Sequence, residues 1–146
     1  MNVRDVMTSS PSTVDPNSSL REAAGLMKQR GIRHLPVVDR TRRLAGILTD
    51  RDITHAAFVP ALSEYLSWDP RRLKALRVRD VMTWSVVTID PDASLAQAGF
   101  IMFQRRIGCL PVVEHSRLVG ILTERDVLAA LHKEHGIEID PDALAG

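Results

Sequence analysis

Two stretches of the chain combine residue types that can do chemistry: Gly46-Ile-Leu-Thr-Asp-Arg-Asp52 and Gly120-Ile-Leu-Thr-Glu-Arg-Asp126. In each, an apolar run delivers a threonine to the first turn of a helix that starts at Asp50 or Glu124. The free backbone N–H groups and the positive end of the helix dipole at such a point favour an anion such as a phosphate. Thr49 or Thr123 adds a hydroxyl donor. A carboxylate three residues on, Asp52 or Asp126, lies on the same side of the turn and can accept bonds from both hydroxyls of a ribose. Arg51 and Arg125 are further phosphate candidates, although an arginine in a first helical turn is often simply exposed. An isolated Thr-x-x-Asp would be read as an ordinary helix cap; its return at the same address argues for more. Gly46 and Gly120 let another backbone approach closely.

The return is part of a duplication, because Val3 to Ile53 lies over Val78 to Val127 with one residue deleted. Val3-Arg-Asp-Val-Met-Thr8 comes back unchanged as Val78-Arg-Asp-Val-Met-Thr83, and Leu35-Pro-Val-Val38 as Leu110-Pro-Val-Val113. After each opening segment, Ser12 to Val14 and Val86 to Ile89 are β-prone runs closed by Asp-Pro. Ser19-Leu-Arg-Glu22 and Ser94-Leu-Ala-Gln97 have the spacing of capping boxes. Leu20, Ala23, Ala24 and Met27 then recur at helical spacing, matched by Leu95, Ala98, Ile101 and Met102, and Gly31 is a left-handed stop. Leu35 to Val38 and Leu44 to Leu48, joined by a polar turn, read as a hairpin. The order is strand, helix, strand, strand, helix, twice: an α/β (α+β) fold of two pseudo-twofold-related units packed through small sheets. The expected divisions are a first repeat over 1–57, a structured helical linker over 58–77, a second repeat over 78–134 and a tail over 135–146. In the linker, Asp69-Pro70 starts a helix over Arg71 to Leu76.

Composition narrows the function. The chain has 146 residues, and a unit of about 50 residues buries too little surface to be secure alone, so the halves are expected to share a core. Nineteen basic and eighteen acidic side chains leave a net charge of +1, too little for an extended nucleic-acid face. Two Trp, one Tyr and three Phe offer few stacking platforms. The basic run Arg71, Arg72, Lys74, Arg77, Arg79 reads as a solvated face. The single cysteine, Cys109, excludes an internal disulfide and a Cys-pair zinc site. His132 and His135 with Glu134 read as a solvated helix end rather than as metal ligands. There is no glycine-framed nucleophile and no Gly-Lys-Ser loop, so no enzyme is expected. With no apolar run of membrane-spanning length and no leader-like N-terminus, the expectation is a cytoplasmic protein that does not enter membranes.

In the order and duplication of Asp-Val-Met-Thr, Leu-Pro-Val-Val and Gly-Ile-Leu-Thr-x-Arg-Asp, residues 3 to 132 resemble paired cystathionine β-synthase (CBS) domains, the Bateman module. The resemblance implies a three-stranded sheet against two helices in each copy, sheets that meet, two adenosine-ligand clefts between the copies, and dimerisation into a flat disk. It gives the ribose to Asp52 and Asp126, and ribose or phosphate to Thr49 and Thr123. It also implies that a cleft combines the ribose aspartate of one copy with the strand of the other. Asp126 would then partner Arg33 and His34, while Asp52 faces Gly108 and Cys109, and the Asp126 cleft would be the better phosphate site. Val14, Ile32, Pro36, Ile89, Ile107 and Pro111 are the candidate adenine walls, positions that equally suit ordinary core. Trp84 is a candidate contact with a second subunit. Two functions remain: a regulatory protein that requires no cofactor, binds AMP, ADP, ATP or a related adenosyl compound, pairs with a second copy and signals to an unknown target; or a scaffold with the same dimeric fold that binds no nucleotide.

Overall fold

The computed structural model describes residues 1–58 and 70–136. Its elements, in chain order, are α1 (Val3–Val6), β1 (Thr8–Ser9), α2 (Leu20–Arg30), β2 (His34–Val38), β3 (Leu44–Thr49), α3 (Asp50–Phe58), α4 (Pro70–Ala75), α5 (Val78–Val81), α6 (Leu95–Arg105), β4 (Cys109–Glu114), β5 (Arg117–Thr123) and α7 (Glu124–His135). Both hairpins and both closing helices stand where the hydrophobic pattern places them.

The repeated Val-Arg-Asp-Val-Met-Thr segment explains how the halves are joined. Asp5 accepts the Asn2 N–H at 2.8 Å and Asp80 accepts the Arg77 N–H at 2.9 Å, which folds each segment into a single helical turn. Each turn then packs on the other repeat. Val3 is fully buried with Ile89, Leu95, Leu110 and Leu122, whereas Val78 is fully buried with Leu20, Leu35 and Leu48. Backbone bonds follow the same exchange: Val3 N–H donates to the Ala93 carbonyl at 2.9 Å, and Val78 N–H to the Ser18 carbonyl at 2.8 Å. Beyond the turn, Thr8–Ser9 pairs with β5 to give a three-stranded sheet of order β1-β5-β4, and Thr83 pairs with Ile47 of β3.

This corrects the expectation of a three-stranded sheet within each copy. The runs at Ser12 to Val14 and Val86 to Ile89 form a single parallel bridge each, Val14 with Val37 and Ile89 with Val112. The Asp-Pro pair that follows turns the chain away after one pairing. The other repeat's opening segment pairs on the opposite edge of each hairpin, along β5 and at Ile47 of β3. A second correction concerns the caps of α2 and α6. Ser19 and Ser94 accept the N–H of Glu22 and Gln97 at 3.1 and 3.0 Å, but the reciprocal arm of the box is absent among the described residues. Ser19 and Ser94 are bridged instead to Arg77 and Asn2 of the other repeat's opening segment.

Leu20, Ala23 and Met27 of α2, and Leu95, Ala98 and Met102 of α6, are buried as their spacing demands. Gly31 ends α2 at φ +63°, whereas Arg106 takes the same left-handed turn at φ +54° after α6. A small third cluster, Ile47, Cys109 and Ile121 with Val86, sits where the two sheets meet. The linker helix α4 lies on α2 and α3, with Leu73 in the first core. The expected cap Asp69, the rest of the linker over 59–69, and the tail over 137–146 lie outside the described residues.

The close approach foreseen at Gly46 and Gly120 is produced by the exchanged segments. A Cβ at Gly46 would stand 2.6 Å from the Thr83 carbonyl oxygen, and one at Gly120 2.5 Å from Met7 Sδ and 3.0 Å from the Thr8 oxygen. Backbone cannot give as a methionine tip can. Gly46→Ala should therefore cost more than Gly120→Ala, within about 1–3 kcal/mol in urea unfolding; the reverse order would show that the exchange does not set the strain. Arg106→Gly relieves a left-handed arginine and should raise stability by about 0.5–1 kcal/mol.

Candidate functional site

Hairpin register assembles the candidate residues. His34 lies directly opposite Thr49 across β2 and β3, and Cys109 directly opposite Thr123 across β4 and β5. The turn before each hairpin is tied to the helix after it, by Asp50 N–H to the Arg33 carbonyl and Glu124 N–H to the Gly108 carbonyl, both 3.0 Å. Arg33, His34, Thr49 and Asp52 therefore gather at one end of the first hairpin. Gly108, Cys109, Thr123 and Asp126 gather at the same end of the second. Antiparallel pairing sets the start of each hairpin against its own Thr, and His34 Nε2 also lies beside Gly108 of the second repeat.

Both Thr-Asp pairs are also helix caps. Asp52 Oδ2 accepts the Thr49 N–H at 2.9 Å, and the Asp52 N–H donates to Thr49 Oγ1 at 3.2 Å. Asp126 Oδ2 accepts both the N–H and the hydroxyl of Thr123, at 2.8 and 2.9 Å, and its own N–H reaches Thr123 Oγ1 at 3.3 Å. One carboxylate oxygen is thereby fixed against the helix start. The other, Oδ1, has no hydrogen bond among the described residues. All four side chains are half-buried. Ion pairs among the described residues are those of Arg4 with Asp92 and Glu114, so neither ribose candidate is tied into one. Arg33, Arg51 and Arg125 are exposed.

The adenine candidates divide. Val14, Pro36, Ile89 and Pro111 are buried core, and their backbone groups are spent on each other: Val14 N–H donates to the Pro36 carbonyl and Ile89 N–H to the Pro111 carbonyl, both 3.1 Å. A parallel pairing of this kind leaves those groups no free edge for a base. Ile32 and Ile107 are half-buried, and Ile32 with Arg33 lines a cleft of about 470 Å³ between α2 and α3. Thr49 and Asp52 are not among its lining residues. Trp84 is largely exposed. His132, read from sequence as solvated, has Nδ1 shielded from solvent with no partner among the described residues.

Charge distinguishes the two ends. His34 sits close to Gly108 and the Glu124 carboxylate of the second repeat. Burial holds its imidazole below the ordinary 6.5, outweighing the pull of Asp50, Glu124 and Asp52. At the matching address, burial pushes the Cys109 thiol up to about 12, so it is neutral and unreactive at physiological pH. Because the folded state disfavours the imidazolium, stability linked to His34 is complete above its unfolded-state value near 6.5. It is lost progressively as pH falls through and below that point. His34→Gln should flatten the decline in melting midpoint between pH 7 and 5.5, and an unchanged decline would assign it to other groups.

The CBS domain family model matches residues 3–58 and 78–133. A CBS domain-containing protein of Bacillus subtilis, YhcV, is 37% identical over 125 residues, which cover 86% of this chain and 81% of that one. Among solved structures, CBSX2 in complex with AMP superimposes with a TM-score of 0.77 at 27% identity, covering 92% of this chain and 98% of the other. The CBS domain pair of protein MJ0100, in complex with 5′-methylthioadenosine and S-adenosyl-L-methionine, does so with a TM-score of 0.75 at 29% identity and the same coverage. With the duplicated motif, the exchanged opening segments and the paired Thr-Asp helix starts already in place, these matches make the chain a member of the CBS domain family carrying two CBS domains in tandem.

Proposed function

We propose that the protein is a regulatory CBS pair of the cytoplasm that binds an adenosine-containing ligand, pairs with a second copy of itself and passes the bound state to a target protein. The observation that carries this is the gathering of Arg33, His34, Thr49 and Asp52 at one end of the first hairpin, with Asp52 Oδ1 free of hydrogen bonds among the described residues. Asp52 accepts from the ribose hydroxyls, while Arg33 and His34, with the start of α3, take phosphate oxygens. The adenosyl ligands of CBSX2 and MJ0100 support the same ligand class for this chain. The second end offers Thr123 and Asp126 for a ribose, yet Gly108 and Cys109 bring no charge, so the phosphate preference belongs to the first.

Thermal melting with AMP, ADP, ATP, S-adenosylmethionine and NAD tests the ligand. A compound at about 100 times its Kd stabilises the fold by about 2.7 kcal/mol and should raise the midpoint by roughly 5–10 °C. No response to any of them would return the chain to the scaffold reading. Calorimetry on variants tests the site: Asp52→Ala and Arg33→Ala should weaken AMP binding by about tenfold or more, and Asp126→Ala by less. Equal losses at Asp52 and Asp126 would remove the distinction between the ends.

Protonation supplies a third check. Phosphate beside His34 favours the imidazolium, so AMP affinity should rise as pH falls from 7.5 to 6. 5′-Methylthioadenosine, which has no phosphate, should show no such rise.

A further inference from the structure

The turns of the two hairpins lie at the opposite end of the strands from Thr49 and Thr123, and there they meet. The Leu118 N–H donates to the Arg42 carbonyl at 3.1 Å, a bond between the first turn and the start of β5. The peptide groups it joins are Arg42–Arg43 and Arg117–Leu118, so the side chains of Arg43 and Arg117 leave the main chain on either side of one hydrogen bond. Between the turns runs a cavity of about 960 Å³, lined by Asp39, Thr41 and Arg43 of one hairpin and by Glu114, His115 and Arg117 of the other. Val119 is the single apolar lining residue among those described. Walls of this composition have nothing to receive a base or an aliphatic chain.

The two carboxylates of the cavity are already engaged. Asp39 Oδ1 accepts the N–H and the hydroxyl of Thr41, at 2.8 and 2.6 Å, and the N–H of Arg43 at 3.1 Å. The Thr41 hydroxyl, with a smaller contribution from the Arg43 charge, holds the Asp39 carboxyl below the usual carboxylate range. Glu114 is bridged to Arg4 at 2.9 Å. Arg43 and Arg117 have no ion pair among the described residues, and exposed Arg40 and Arg42 stand in the same turn as Arg43. One exposed aspartate does not balance three arginines in its own turn, and Arg117 adds a fourth from the other repeat. Backbone strain is kept at the same place: Arg42, His115 and Ser116 stand at φ +65°, +51° and +65°, where glycine or asparagine fits more easily.

We propose that the cavity between the hairpin turns binds a linear oligophosphate, a small anion with phosphate groups in a row and no base, clasped by Arg43 of one repeat and Arg117 of the other. Guanidinium forks match phosphate oxygens bidentately, and a row of phosphates reaches both forks where a single one serves one. The anion also relieves the mutual repulsion of two cations rooted side by side. A nucleic-acid strand would need this charge continued along an extended face, which a net charge of +1 does not provide. Because the two arginines come from different repeats, occupancy ties the turns together at the far end of the hairpins from Asp52 and Asp126. The site does not rest on the adenosine reading.

Calorimetric titration of the full chain with inorganic tripolyphosphate at low ionic strength tests the proposal. The expected result is a saturable site that persists in the presence of saturating AMP and in Arg33→Ala, with orthophosphate weaker by about tenfold or more. Arg43→Ala and Arg117→Ala should each weaken tripolyphosphate by about tenfold or more. Arg43→Lys and Arg117→Lys should lose less, since lysine keeps the charge without the fork. All these positions are exposed, and circular dichroism should show the fold unchanged. Arg105→Ala, an exposed arginine at the end of α6 beside the start of the second hairpin, should stay within about twofold. AMP affinity should be the same in Arg43→Ala and Arg117→Ala as in the unmodified chain, so the two sites stand or fall separately. Absence of saturable binding, an equal loss in Arg105→Ala, or tighter binding of a single-stranded oligonucleotide would overturn the proposal. Loss of the site with AMP or in Arg33→Ala would do so too, by placing the anion at the hairpin start.

Discussion

Two valines hold the architecture together. Val3 and Val78 are each fully buried in the core of the repeat to which their sequence does not belong, and each such burial is worth about 1.5–3 kcal/mol. Neither repeat has a complete core without the other. The exposed bridges of Arg4 to Asp92 and Glu114 lie along the same junction, and solvent screens them enough that they orient the segment more than they stabilise it. Exchange also favours glycine at 46, where the visiting Thr83 carbonyl leaves no room for a Cβ, and at 120, where the Met7 sulfur stands closest. A motif spread over Val, Asp, Met, Thr and a distant Gly is thus one packing solution used twice.

The same economy operates at the helix starts. A half-buried carboxylate with no partner would be costly, and the capping arrangement removes most of that cost by giving one oxygen to the N–H of Thr49 or Thr123. Capping and ligand binding are therefore not rivals for Asp52 and Asp126. The cap holds the side chain in place, so the ribose of the proposed ligand would meet an acceptor already ordered by folding. Only the groups around it differ between the ends, and those groups carry the charge.

Much of this was legible in the sequence. Helical spacing gave α2 and α6, the paired apolar runs joined by a polar turn gave the hairpins, and the Thr-x-x-Asp stretch located the starts of α3 and α7 to the residue. What was not legible is long-range. Nothing local in Val3-Arg-Asp-Val distinguishes a segment that packs on its own repeat from one that crosses, because identical copies give identical patterns. The β-prone runs before the helices shrink to one bridge each, on β2 and β4, because the Asp-Pro pair that follows turns the chain away. The hairpin register, which sets His34 against Thr49, could have been read from the turn length between β2 and β3, whereas the approach of His34 to Gly108 and Glu124 of the second repeat could not. Val14, Pro36, Ile89 and Pro111 show the limit of composition: a buried valine or proline looks the same as sequence whether its face meets a base or another strand.

Where the repeats are identical they serve one another, and where they differ they face outward or meet at the pseudo-axis. Arg33 and His34 stand against Gly108 and Cys109; Gly25 and Lys28 stand against Phe100 and Phe103. His34 links these divergences, because its ring lies beside Gly108 and Glu124, and Glu124 begins α7, the helix that presents Leu128. A ligand shifts a conformational equilibrium only through contacts that differ between its states. On the proposed reading, a phosphate that favours the His34 imidazolium would change its interaction with Glu124 while leaving the first repeat's buried core untouched. The junction between repeats would then be where occupancy is felt, with the strands and exchanged turns that flank it as the frame.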